Sequence, residues 1–76
     1  MSDIRELVAL NLRRLRRERS MTQTDLAFRA EVNRGYVSEL ESAQYSATVD
    51  MLGKLAKALN VAPGALLEQS PKRIKP

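Results

Sequence analysis

Two short helical patterns lie almost end to end in this 76-residue chain, and the brevity of the link between them limits the folds open to it. The first opens at Thr22, whose hydroxyl can accept from the amides of Thr24 or Asp25. Asp25 stands at the third helical position, where a carboxylate reaches back as in a capping box. Leu26, Ala27 and Ala30 form the inner face. The second pattern is capped by Asn33 and turns Val37 and Leu40 inward, with Glu41 close to the same side. Only Glu31-Val32-Asn33 joins the two. So tight a turn prevents antiparallel packing and favours a near-perpendicular crossing. The crossing needs a small residue at its centre and an apolar plug in the turn, which Ala27 and Val32 supply. A helix that buries Val37 and Leu40 leaves the opposite stripe free, namely Arg34, Gly35, Ser38, Glu39 and Ser42.

The flanking sequence is helical as well. Ile4, Leu7, Val8, Leu12 and Leu15 recur at three- and four-residue steps and predict one helix, from a cap at Asp3 to about Arg19. Ser42 to Ala47 reads as a loop. Thr48 then caps a fourth helix with Asp50 in its first turn and a Leu52, Leu55, Ala56, Leu59 stripe, stopped in a left-handed turn at Asn60. Ala62-Pro63 begins a last short helix that carries Leu66 and Leu67. The expectation is a single all-α domain of five helices over residues 1–69, followed by a basic tail over residues 70–76.

Composition removes much chemistry. With no His and no Cys, zinc sites, thiol nucleophiles and imidazole bases are gone, and the carboxylates fall at helix-capping or ion-pair positions. No catalytic residue, metal or cofactor is therefore expected. The longest apolar run, Leu7-Val8-Ala9-Leu10, is far below the ~20 residues that span a bilayer, and the first residues show no secretion pattern. A cytoplasmic protein is expected. The formal net charge is +4, and it is concentrated, since Arg13, Arg14, Arg16, Arg17 and Arg19 lie within seven residues beside one acid, Glu18. Such a patch points either to a phosphate-rich partner or to a solvated helix face. On a helical wheel Arg13 and Arg17 face away from the apolar stripe, whereas Arg16 and Arg19 flank one edge of it. The free stripe of the Asn33 helix is a second route to nucleic acid, because the major groove, about 12 Å wide, admits an α-helix whose first turn reads base edges.

The run Thr22-Gln23-x-x-Leu26-Ala27-x-x-Ala30-x-Val32-x-x-x-x-Val37-Ser38-x-Leu40-Glu41 resembles the helix-turn-helix of the phage-repressor and Cro-type (XRE-like) proteins. Leu12-Arg13-Arg14-Leu15-Arg16 before it and Leu52-x-x-Leu55-Ala56-x-Ala58-Leu59-x-Val61 after it extend the likeness over nearly the whole chain. The resemblance implies a compact lambda-repressor-like fold and a homodimer that regulates transcription from a pseudo-palindromic operator in double-stranded DNA. No small-molecule ligand is implied. Small phage repressors and the controller proteins of restriction-modification systems are the groups nearest in size. An antitoxin-like module that binds DNA together with a partner protein is the alternative.

Roles carry over position by position. The resemblance puts Arg34, Gly35, Ser38 and Glu39 at base-reading positions, with Arg34 either bidentate on a guanine or clamping a phosphate. Gln23, Asn33, Thr48, Ser46 and Tyr45 fall where the DNA backbone is expected, and Arg19 is the best phosphate candidate of the arginine cluster. Tyr36 either sets its hydroxyl on a phosphate or packs against the preceding helix. In this family a glutamate at Glu41 pairs with an arginine at Arg16, a structural ion pair. Met51, Val61, Leu66 and Leu67 sit where the family places its dimer contact, although Leu66 and Leu67 could equally close the core. The sequence departs from the family after Glu41, having Ala43, Tyr45 and Ala47 in place of a glycine, a basic residue and a proline.

Overall fold

The computed structural model describes residues 4–69. The Asp3 cap and the tail over 70–76 lie outside the described residues. Four α-helices follow one another, α1 (Ile4–Glu18), α2 (Gln23–Ala30), α3 (Arg34–Glu41) and α4 (Val49–Leu59). The fifth expected helix is a single 3-10 segment, Pro63–Leu67. Pro63 starts it without needing an N–H, and its five residues are too few for more than the tighter turn. No strand occurs among the described residues.

The helices bury one stripe each. Leu12 and Leu15 of α1 share one core with Leu26, Ala27 and Ala30 of α2, Val37 and Leu40 of α3, and Leu55, Ala56 and Leu59 of α4, and Val8 and Ala9 of α1 are buried too. Leu66 from the 3-10 segment is wholly buried against α1 and α4. Each fully buried Leu contributes roughly 1.5–3 kcal/mol of transfer free energy. The α1 stripe is covered unevenly, because Ile4 remains 61% exposed and the packing begins at Val8. Phe28 points outward from α2.

Helix starts follow the expected chemistry. Thr22 Oγ1 accepts from the Asp25 amide at 3.0 Å, and Asp25 Oδ2 accepts from the Thr22 amide at 2.9 Å. Those bonds from Thr22 hold the Asp25 carboxyl below its ordinary value. Thr48 Oγ1 accepts from the Met51 amide at 3.1 Å and starts α4. Asn33 occupies the N-cap of α3, yet its side chain makes no cap bond, so the cap is one of backbone position alone.

Helix ends are less ordinary. Ser20, Glu31, Ala43 and Asn60 all have φ between 55° and 62°, while no glycine among the described residues has positive φ. Asn60 stops α4 as expected. Ala43 takes the left-handed turn for which it has no local side-chain compensation, at a cost of ~1–2 kcal/mol relative to glycine. The turn is held by bonds from the Ala43 amide to Leu40 O and from the Gln44 amide to Glu39 O.

Asn11 is the polar residue that the α1 stripe did not announce. It is 1% exposed, and its Nδ2 donates to the carbonyls of Leu66 at 3.0 Å and Glu68 at 2.9 Å. These bonds satisfy carbonyls that a terminal 3-10 turn leaves open and tie the end of the chain to α1.

Candidate nucleic-acid interface

The α2–α3 unit is a helix-turn-helix by its geometry. Glu31 turns left-handed at the end of α2 and Val32, half-buried, donates its amide to Ala27 O at 2.9 Å while packing against the core. That turn packs α3 against α2 and leaves one face of α3 in water. Arg34 and Gly35 are exposed, and Ser38 and Glu39 are half-buried. Open space lies where a Gly35 side chain would be, which shortens the approach of this helix face to anything laid on it. Ser42 belongs to the same stripe, but its hydroxyl donates back to the carbonyls of Ser38 and Glu39. Among the described residues no ion pair joins Arg34 to Glu39, so the guanidinium is available to a partner.

The start of α3 suits an anion or a base edge. The first turns of α1, α2 and α4 hold Glu6, Asp25 and Asp50 respectively, whereas α3 has no acid there and no cap side chain on its amides. The partial positive charge of its N-terminus is left uncompensated inside the protein. Asn33 and Arg34 stand at that end, and their side chains make no bond among the described residues.

Behind the face, Glu41 organises three helices. Its Oε2 accepts from Arg16 Nε at 2.6 Å and its Oε1 accepts from Arg16 Nη2 at 3.0 Å, a bidentate pair with side chains 12% and 4% exposed. Arg16 also donates from Nη1 to Met21 O at 2.8 Å, and its own value is raised, chiefly by the bond to Glu41. Gln23 Nε2 donates to Glu41 Oε1 at 3.0 Å, so the carboxamide at the head of α2 is oriented by the protein itself.

Two expectations about the arginine cluster need correction. Arg13 does not face solvent; it donates from Nη1 to the carbonyl of Glu41 and closes the end of α3. Arg19, the expected phosphate contact, is already engaged within the protein. Its Nε donates to Leu59 O at 2.6 Å and its Nη1 to Leu15 O at 3.1 Å, closing the C-terminal ends of α4 and α1. Cations suit those ends because helix carbonyls there carry partial negative charge. Arg14 bonds Asn11 and Glu18, which leaves Arg17 as the cluster's member with no bond among the described residues.

On the other flank, Tyr36 is half-buried and its ring lies 6.0 Å from that of Tyr45 at 52°, a tilted pair that pins the α3–α4 loop to α3. Tyr45, Ser46 and Thr48 are exposed beside it. Burial first, then Tyr45, raises the Tyr36 phenol above its ordinary value of 10.0. Since the folded value is the higher one, the associated stability is intact below the ordinary value and is lost as pH rises through the raised one. Tyr36→Phe is therefore expected to flatten part of the alkaline fall in melting temperature. A melting series across that range checks it, and an unchanged alkaline fall would put the hydroxyl in water.

The expected dimer residues separate. Met51 and Val61 are half-buried and Leu67 is 40% exposed, but Leu66 is 0% exposed within one copy and is not available to a second. Among the described residues no cluster of acidic groups could hold a metal, and no helix is long and apolar enough to cross a membrane.

Comparison with known proteins agrees with this arrangement. A family model described as HTH_3, helix-turn-helix, matches residues 12–66. An uncharacterized HTH-type transcriptional regulator, y4dJ of Sinorhizobium fredii, is 42% identical over 60 residues, which is 79% of this chain and 78% of that protein. Control protein C.BamHI of Bacillus amyloliquefaciens is 35% identical over 68 residues, 88% of this chain and 84% of the other. A solved tetramer of the restriction-modification controller protein C.Esp1396I in complex with its natural 35 base-pair operator has TM-score 0.79 and 29% identity, with 87% of each chain covered.

Proposed function

The chain belongs to the HTH_3 helix-turn-helix family, and from that membership we propose a sequence-specific DNA-binding transcriptional regulator that acts as a homodimer on a pseudo-palindromic operator. The observation that carries the reading is the solvent-facing stripe of α3, with Arg34 unpaired among the described residues and no acid in the first turn of the helix. Two such helices, one from each copy, would enter successive major grooves about 34–36 Å apart. Arg34 reads a base, Gly35 lets the helix approach, and Ser38 and Glu39 complete the reading face. Glu39 acts partly by exclusion, since a carboxylate can only accept and the base edges in the groove offer it donors at cytosine N4 and adenine N6 alone. Gln23, Asn33, Tyr36, Tyr45, Ser46 and Thr48 hold the backbone on either side. Met51, Val61 and Leu67 supply the apolar contact between copies.

Likeness to a control protein and to an operator-bound controller supports autoregulation, with the protein's own concentration as input. These names do not favour the antitoxin-like alternative. A regulator of this kind works in the cytoplasm and needs no cofactor and no catalytic group.

The test is binding of the purified protein to its own upstream DNA, with Arg34→Ala and Gln23→Ala compared on the operator and on single-base variants. Arg34→Ala is expected to cost ~1–3 kcal/mol and to relax selectivity at one position per half-site. Gln23→Ala should weaken all sequences alike. Uniform loss with both variants would reduce Arg34 to a phosphate clamp, and no binding at all by the lone protein would sink the regulator.

A further inference from the structure

A second charged surface lies away from the reading face. Arg29, Lys54 and Lys57 stand round a cleft of about 530 Å³ between the C-terminal end of α2 and α4. Ala30 and Ala58, both small, line it together with these long cations. Glu31 is the single acid on its rim. None of the three cations makes an ion pair or hydrogen bond among the described residues, although Arg29 acts through space on Asp25 one turn earlier. Arg29 and Lys57 occupy the last turns of their helices, where a cation is ordinarily favoured. Lys54 is not in a last turn, and convergence of all three on one hollow is not explained by helix ends.

We propose that this cleft docks an acidic segment of another protein, its carboxylates meeting Arg29, Lys54 and Lys57, while the regulator stays on its operator. The last clause rests on the function read above. Charge complementarity selects an acidic occupant, and shape separates a protein segment from DNA. The cleft is short, with its three cations gathered round one hollow, a footprint that carboxylate side chains on a helix or loop match, whereas a duplex would lay a longer row of phosphates across it. Position agrees. The N-terminal ends of α2 and α4, with Gln23 and Thr48, are assigned to the DNA backbone, and the cleft lies at the other end of α2 and well along α4, ~12 Å away at 1.5 Å per residue. The two surfaces are set apart along the helices, the arrangement required for a bound regulator to recruit or restrain a partner.

The probe is a fluorescein-labelled peptide of Glu and Ala, titrated by anisotropy against wild type, Lys57→Glu and Arg17→Glu, each alone and with operator duplex. Arg17 is exposed on α1 and reports the same change in net charge outside the cleft. Lys57→Glu is expected to weaken the peptide about five- to tenfold, with Arg17→Glu near wild type, duplex affinity retained, and the peptide still bound when duplex is saturating. Lys54→Gln with Lys57→Gln repeats the test without introducing acid. Equal loss in Arg17→Glu would mean attraction by net charge alone and overturn the proposal. A matching fall in duplex affinity for Lys57→Glu would assign the cleft to phosphates, and displacement of the peptide by duplex would put it on the reading face; either result overturns it too.

Discussion

Arg16→Ala is expected to destabilise the fold by about 3–5 kcal/mol, because it leaves the Glu41 carboxylate, 4% exposed, without its bidentate cation. In a chain this short each kcal/mol moves the melting temperature by ~4–8 °C, so much of the native state is lost on mild heating. Glu41→Ala should cost at least as much. It strands the Arg16 guanidinium and also removes the acceptor of Gln23 Nε2. Thermal denaturation of the two single variants and of Arg16→Met with Glu41→Leu separates the causes. If the penalty is that of an orphaned charge, the apolar double replacement recovers most of it. Arg16→Ala that melted like wild type and merely bound DNA less well would instead make Arg16 a DNA ligand. The pair holds α1 against the end of α3, and Gln23 draws the head of α2 into the same carboxylate. Loss of stability and misplacement of the reading helix should therefore appear together, with DNA affinity falling even at temperatures where the variant is folded.

The helix-turn-helix was legible because its determinants are local. Thr22 and Asp25 are three residues apart, Val32 plugs a three-residue turn, and Val37 and Leu40 declare the buried side of α3 by spacing alone. The destinations of the arginines were not legible. A helical wheel gives the direction in which a side chain leaves its axis, but an arginine is long enough to turn back to a carbonyl that folding brings near. Arg19 meets Leu59 forty residues on, and Arg13 meets Glu41 twenty-eight residues on. The density of positive charge, which the sequence left open between a phosphate-rich partner and a solvated helix face, is largely a set of clamps on helix ends. Asn11 was missed for a related reason. A polar residue at the edge of an apolar stripe reads as exposed unless the carbonyls it will satisfy, here fifty-five and fifty-seven positions away, are known.

The same long-range blindness applies to Leu66 and Leu67, which look alike in sequence and are expected to behave oppositely. Leu66→Ala should cost about 2–5 kcal/mol, since the side chain is 0% exposed among α1 and α4 and its removal leaves a cavity with little around it free to collapse. The 3-10 segment has no regular helix ladder to fall back on. It is kept in place chiefly by that leucine, with Ala65 packed beside it, and by the Asn11 bonds to Leu66 O and Glu68 O, so loss of the leucine should also loosen those bonds. Hydrogen exchange at the end of the chain would then quicken along with the fall in melting temperature. Leu67 is 40% exposed, and Leu67→Ala should leave the melting of a dilute monomer within ~0.5 kcal/mol of wild type. Its effect belongs to association. If Leu67 joins two copies, the melting temperature of wild type rises with protein concentration and that of Leu67→Glu does not, because only the dimer couples stability to mass action. Sedimentation of both variants completes the assignment. A dimer that survives Leu67→Glu would move the contact away from this end of the molecule, and a Leu66→Ala protein that melts normally would mean that the 3-10 segment is not part of the core.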